Sequence, residues 1–315
     1  MVPLLERRLL FITGKGGVGK TTVAAAIALF ASEHGRRTLL CESDARGDVA
    51  SCFETGPTSF TPREVLPDLW AMSMDKEASL REYLRLNLRI PVFGRIGPLA
   101  KAFDFVATAA PGVAEILVVG KFCYEVRERH YDLVVVDASS TGHIVGQLSA
   151  PQAINDLVKV GLIRLQTDWM LHILSDPAST GVVVVSTPEE MPVSETLQLA
   201  GLLEEQTTVE LASVVVNQVL PELFGRTEEE IFEQLHRKGT AAELGRLAGG
   251  DVRPVLEAAR LAVTLRRTGA GHLERLRAGI DANVPLLYLP FLFTKSDGVR
   301  TVRKMAGSLG DELGF

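Results

Sequence analysis

Six short runs of valine, isoleucine and leucine punctuate the chain: LLFIT (9–13), TLLCES (38–43), DLVVVD (132–137), GVVVVS (181–186), ASVVVN (212–217) and PLLYLP (285–290). None alternates apolar with polar residues. Both faces of each run are therefore expected to be covered, as in a parallel sheet with helices packed on either side. Helical stretches separate the runs, so the predicted architecture is α/β, a doubly wound and mostly parallel sheet.

Two regions depart from that rhythm. Between Phe53 and His130 the sequence turns helical and irregular, with one short strand expected at LWAMSM (69–74). Within it, EASLREYLRLNL (77–88) places Leu80, Leu84 and Leu88 at helical spacing, as a stripe facing the core. From Pro151 to Thr180 runs a second segment, LVKVGLIRLQTDWMLHIL followed by DPAST. Neither region is bounded by a Pro/Gly/Ser-rich linker. Both read as helical caps, around 54–130 and 151–180, inserted into one domain spanning 1–315.

Composition narrows the partners. The 315 residues are 46% hydrophobic and 23% charged, and a net charge of −6 offers no general attraction for nucleic acid, which is not expected as a partner. Cys41, Cys52 and Cys123 form no CxxC pair and read as reduced thiols rather than a disulfide framework or a zinc clip. No apolar segment reaches the roughly 18 residues of a membrane span, and MVPLLERRLLFIT lacks a cleavage site. A cytoplasmic protein without an integral membrane segment is the expectation.

The chemistry concentrates in GKGGVGKTT, from Gly14 to Thr22. Gly14, Gly19, Lys20 and Thr21 fit G-x-x-x-x-G-K-[ST], with a buried strand before and a helix after. Glycines there let backbone N–H groups form an anion nest at a helix N-terminus. Lys20 would bridge the outer phosphates and the Thr21 hydroxyl would ligate Mg²⁺, with Lys15, Gly16, Gly17, Val18 and Thr22 completing the loop. Lys15 is surplus to that task, because a side chain at the second loop position points away from the phosphates its own backbone surrounds. Taken alone it would be a solvated surface lysine. Within this string it reads as a cation given to the nucleotide of a facing subunit, a contribution worth about 10³ to 10⁵ in rate in phosphoryl transfer.

The whole string resembles the deviant Walker A motif of the signature-lysine ATPases, whose members include arsenical-pump, tail-anchored-protein-targeting and partition ATPases. VVVDASSTGHIVGQLSAP (134–151) is similar to the second switch of the arsenical-pump and tail-anchored-targeting branch. The resemblance implies that Asp137 supports Mg²⁺ through water and that Thr141, Gly142 and His143 sense the γ-phosphate. CESDARGDVASCF (41–53) falls where the first switch belongs. Asp44 then matches the aspartate that orients the attacking water near Mg²⁺, although Ala45, Arg46 and Gly47 replace the branch's Pro, Ala and His. STPEEMPVSET (186–196), with Glu189, and VVVNQ (214–218), with Asn217 at the adenine-reading position, continue the likeness, and LYLPFLFTKSDG places Pro290 and Phe291 beside the base.

What is missing also directs the reading. No CxxC follows VVVNQ, so an intersubunit zinc is not expected. Cys123 stands alone, which leaves metalloid activation unsupported. The overall likeness is to actinobacterial paired anion-transporting-ATPase-like subunits. It implies a Mg·ATP-dependent ATPase that dimerises with itself or with a related subunit. Hydrolysis would drive a conformational switch serving a hydrophobic or membrane-protein client, or an envelope process. Two alternatives stay open: a partition or positioning scaffold on membrane or DNA, and a nucleotide-binding regulatory subunit that hydrolyses weakly.

Overall fold

A computed structural model describes residues 2–44, 47–88, 112–222, 224–235, 239–293 and 298–315. The apolar runs all become strands: β1 (Leu9–Gly14), β2 (Thr38–Glu42), β3 (Arg63–Leu66), β4 (Leu69–Ser73), β5 (Leu133–Asp137), β6 (Thr180–Ser186), β7 (Leu211–Val219) and β8 (Leu286–Pro290). They form one eight-stranded sheet in the order β3-β4-β2-β5-β1-β6-β7-β8. Every pairing is parallel except β3 with β4, a hairpin at the edge. Sequence alone did not reveal β3, because REVL is partly exposed and carries two charges.

Each central strand is buried along its whole length. Alternate residues feed two separate cores. Leu10, Ile12, Leu40, Val135, Val183 and Val215 face one side, where α1 (Lys20–Glu33) lies against the sheet. Leu9, Phe11, Cys41, Val134, Val184 and Val214 face the other. That second core is covered by α4 (Val113–Arg127), α5 (Thr141–Leu157), α6 (Leu162–Ser175) and α7 (Glu190–Gln206). The two remaining helices before them are α2 (Asp48–Cys52) and α3 (Lys76–Leu88), where Leu80 is buried as expected and the side chains of Leu84 and Leu88 lie outside the described residues. Helix α5 continues through Pro151.

Between β7 and β8 the chain inserts α8 (Arg226–Leu235), α9 (Thr240–Ala248) and the 27-residue α10 (Arg253–Gly279). Of the cap expected at 54–130, β3 and β4 belong to the sheet edge, and 89–111 lie outside the described residues. The chain ends in α11 (Val299–Leu313), packed on α1 through Val302, Met305, Ala306 and Leu309. That cover explains why α1 is apolar almost all round, with Val23 to Ser32 buried.

Register fixes where chemistry can gather. Ile12 of β1 and Glu42 of β2 both sit level with Asp137 of β5. Three adjacent parallel strands therefore end side by side, at the point where strand order reverses about β1, the usual ligand crevice of such sheets. Phe122 of α4, 1% exposed and edge-on to Phe11 at 6.1 Å, locks the second core beneath that crevice. Phe122→Ala should lower the unfolding free energy by about 3–5 kcal/mol, read by urea denaturation. Leu261→Ser, on an exposed face of α10, should change it by less than about 0.5 kcal/mol.

Candidate nucleotide site

The turn from β1 into α1 depends on glycine. At Gly14, φ is +148° and a Cβ would stand 2.2 Å from the Val185 carbonyl oxygen of β6. Gly19, at φ +89°, caps α1, and a Cβ there would meet the Asn217 amide nitrogen at 2.5 Å. No side chain caps the first turn of α1. Its backbone N–H groups, with those of the loop, are left for an anion. Val18, 2% exposed, anchors the loop from below.

A cavity of about 590 Å³ opens above it, lined by Gly16, Gly17, Gly19, Lys20, Thr21 and Thr22 from the loop. Asp44 and Asp137 line the same cavity, joined by Glu42, Asp48 and the start of α11 at Gly298, Thr301 and Val302. The Lys20 ammonium donates to the Lys15 carbonyl oxygen at 3.1 Å. The Thr21 hydroxyl donates to the Asp137 carboxylate at 2.7 Å. Asp137 is 8% exposed, and burial first, then Glu42 and Asp48, push its pKa up to about 6 against the pull of Thr21 and Lys20. Four carboxylates, Glu42, Asp44, Asp48 and Asp137, thus line one cavity. A divalent cation would relieve them, and Thr21 with Asp137 offers the sparse oxygen set that Mg²⁺ accepts when phosphate and water supply its other ligands. Glu42 was not singled out from sequence. It is 2% exposed, accepts from Ser73 Oγ at 2.7 Å and from the Asp48 N–H at 2.9 Å, and so ties β4 and α2 to the end of β2. A carboxylate ending an otherwise apolar strand was its signal.

The other expected residues fall elsewhere. Ala45 and Arg46 lie outside the described residues. Thr141 opens α5, while Gly142 and His143 are exposed on its first turn. Asn217, 3% exposed, donates to the Val18 carbonyl at 2.9 Å and accepts from the Gln218 N–H at 2.9 Å, so it braces the loop from behind. Glu189 is exposed just before α7. Pro290 ends β8 beside Phe291, whose ring meets that of Phe293 at 4.9 Å. Neither Asn217, Glu189, Pro290 nor Phe291 lines the cavity beside the loop.

Lys15 neither points into the cavity nor projects freely. Its ammonium forms an ion pair with Glu195 of α7, the two side chains 32% and 26% exposed. The other Glu195 oxygen accepts from the Thr141 hydroxyl at 3.2 Å. The sequence reading missed Glu195, because nothing local marks a partner 180 positions away.

A doubly wound sheet whose phosphate loop sits at the strand-order reversal defines a nucleoside triphosphatase of the P-loop class. The anion-transporting ATPase family matches residues 7–167 and 163–238, and the chain belongs to that family. It is 32% identical over 316 residues to the ATPase BagA of Mycobacterium tuberculosis, covering 93% of this chain and 88% of the relative. To an arsenical pump-driving ATPase, putatively so named, of Halobacterium salinarum it is 30% identical over 265 residues, 77% of this chain and 40% of that one. An ASNA1 homologue ATPase of Entamoeba dispar shares 24% over 251 residues, 67% of this chain and 76% of the relative. The chain is an ATP hydrolase of this branch. No helix among the described residues is long and apolar enough to cross a membrane.

Because Gly14 has no room for a methyl group, Gly14→Ala should abolish binding of a fluorescent ATP analogue at concentrations that saturate the wild type. Thr21→Val should keep the fold but shift half-maximal Mg²⁺ upward in an ATPase titration.

Proposed function

We propose that this ATPase is a Mg·ATP-driven switch in which two chains face one another across their phosphate loops. In this reading Lys20 and Thr21 hold phosphate and metal, Asp137 supports the metal through water, and Asp44 orients the attacking water. Lys15 serves the nucleotide of the opposing chain. When bound, Mg²⁺ would neutralise charge on the phosphates.

The observation that carries the reading is the Lys15–Glu195 pair with its bond to Thr141. Within one chain the lysine is turned from its own loop to a carboxylate at the rim. A pair this exposed is worth about 1 kcal/mol. A cation delivered to a phosphoryl transition state is worth about 10³-fold or more, roughly 4 kcal/mol. The small cost of releasing Glu195 is therefore outweighed in the transition state. That release also leaves Glu195 to Thr141 alone, so chain pairing would be felt at the start of α5, the second switch. The contact is self-complementary, as a two-fold pair requires.

The output of such a switch is a change in what its helical surface holds. Ile231, Leu247, Val255, Leu261 and Leu265 on α8, α9 and α10 are each more than half exposed, an apolar surface suited to a hydrophobic or membrane-protein client.

Lys15→Ala should retain ATP binding, lose ATP-dependent association in light scattering, and lower turnover by about 10³-fold. Glu195→Gln frees the lysine and should raise association at the same ATP concentration. Lys15→Ala chains that pair and turn over like the wild type would contradict the reading.

A further inference from the structure

At the edge of the sheet opposite the nucleotide cavity, four arginines crowd one concavity. The same three strands begin there: Arg8 precedes β1, Arg36 and Arg37 precede β2, and Arg129 with Tyr131 and Asp132 leads into β5. With Glu6 these residues line a cavity of about 440 Å³. Four guanidinium groups therefore face two carboxylates, on a chain whose net charge is −6.

Part of the cluster has a structural use. Arg36 donates to the carbonyls of Arg7 at 3.1 Å and Asp132 at 2.5 Å, Arg8 donates to the Val126 carbonyl at 2.6 Å, and Arg37 pairs with Asp132 at 3.1 Å. These bonds clamp three connections together. They do not account for everything. Arg36 Nη1 is buried with no hydrogen-bond partner. Arg129 sits on an exposed turn at φ +57°. Asp132 is committed to Arg37, which holds its carboxyl below the usual range. Burial lowers the pKa of Arg8, and the neighbouring Arg129 lowers it further. Crowded like charges are relieved by an anion, and planar guanidinium forks match phosphate oxygens.

We propose that this concavity binds a phosphate-bearing anion through Arg8, Arg36 and Arg129. The shared chemistry fits a free polyphosphate or a phospholipid headgroup. The site lies about 17 Å from the nucleotide loop, one strand length away, and is independent of it.

The test uses the full chain carrying Lys20→Ala, to silence the phosphate loop, and Trp169→Phe. This leaves Trp70, whose ring lies 5.5 Å from Tyr131, as the fluorescent reporter. Titrated pyrophosphate should change Trp70 emission saturably. Sedimentation with phosphatidylglycerol vesicles, against phosphatidylcholine alone, tells a headgroup from a free anion. Arg129→Glu, at an exposed turn where folding is undisturbed, should weaken whichever binding is seen by about tenfold or more, with wild-type thermal melting as the control. Absence of both signals, or binding that Arg129→Glu leaves unchanged, overturns the proposal.

Discussion

The ion pair between Lys15 and Glu195 ties together three parts of the molecule: the phosphate loop, helix α7 and, through Thr141, the first turn of α5. Its partial exposure matters. A fully buried pair would cost several kcal/mol to break and would freeze the loop, whereas a fully exposed one would not hold the lysine anywhere. The intermediate case holds the lysine against Glu195 without locking it there.

Beneath that pair, the sheet sets the field. β1, β2 and β5 end level with one another and deliver, in turn, the glycine loop, Glu42 and Asp137. Glu42 and Asp137 stand in register on adjacent strands, so their repulsion, added to burial, raises Asp137 toward neutrality. Such a floor favours a bound cation, and a nucleotide brings one with it. The opposite ends of the same strands carry an excess of positive charge, so the three central strands are polarised end to end.

Much of this arrangement was legible in the sequence, and the reasons it was not complete are specific. Runs such as VVVV announce strands covered on both faces, and the central sheet followed from them. β3 escaped because an edge hairpin needs no apolar run. Helix between the runs at 212–217 and 285–290 was expected, but its division into α8, α9 and the long α10 was not. In the site, Gly14, Gly19, Lys20, Thr21 and Asp137 stand next to one another in motif or at a strand end. Glu195 and the α11 contribution to the cavity are brought in by tertiary packing alone. The base-side assignments rested on likeness; in the structure Asn217 braces the loop, and Phe291 meets Phe293 edge to face.

The account turns on which chain a lysine serves. Mixing Lys15→Ala chains with Asp44→Asn chains tests it most directly, since each variant alone lacks one half of every site. If the lysine acts across the interface, mixed pairs rebuild one complete site, with Asp44 from the first chain and Lys15 from the second, and turnover of the mixture rises well above that of either variant alone. Turnover that stays at the level of the separate variants, while the two chains are seen to pair, would contradict the account.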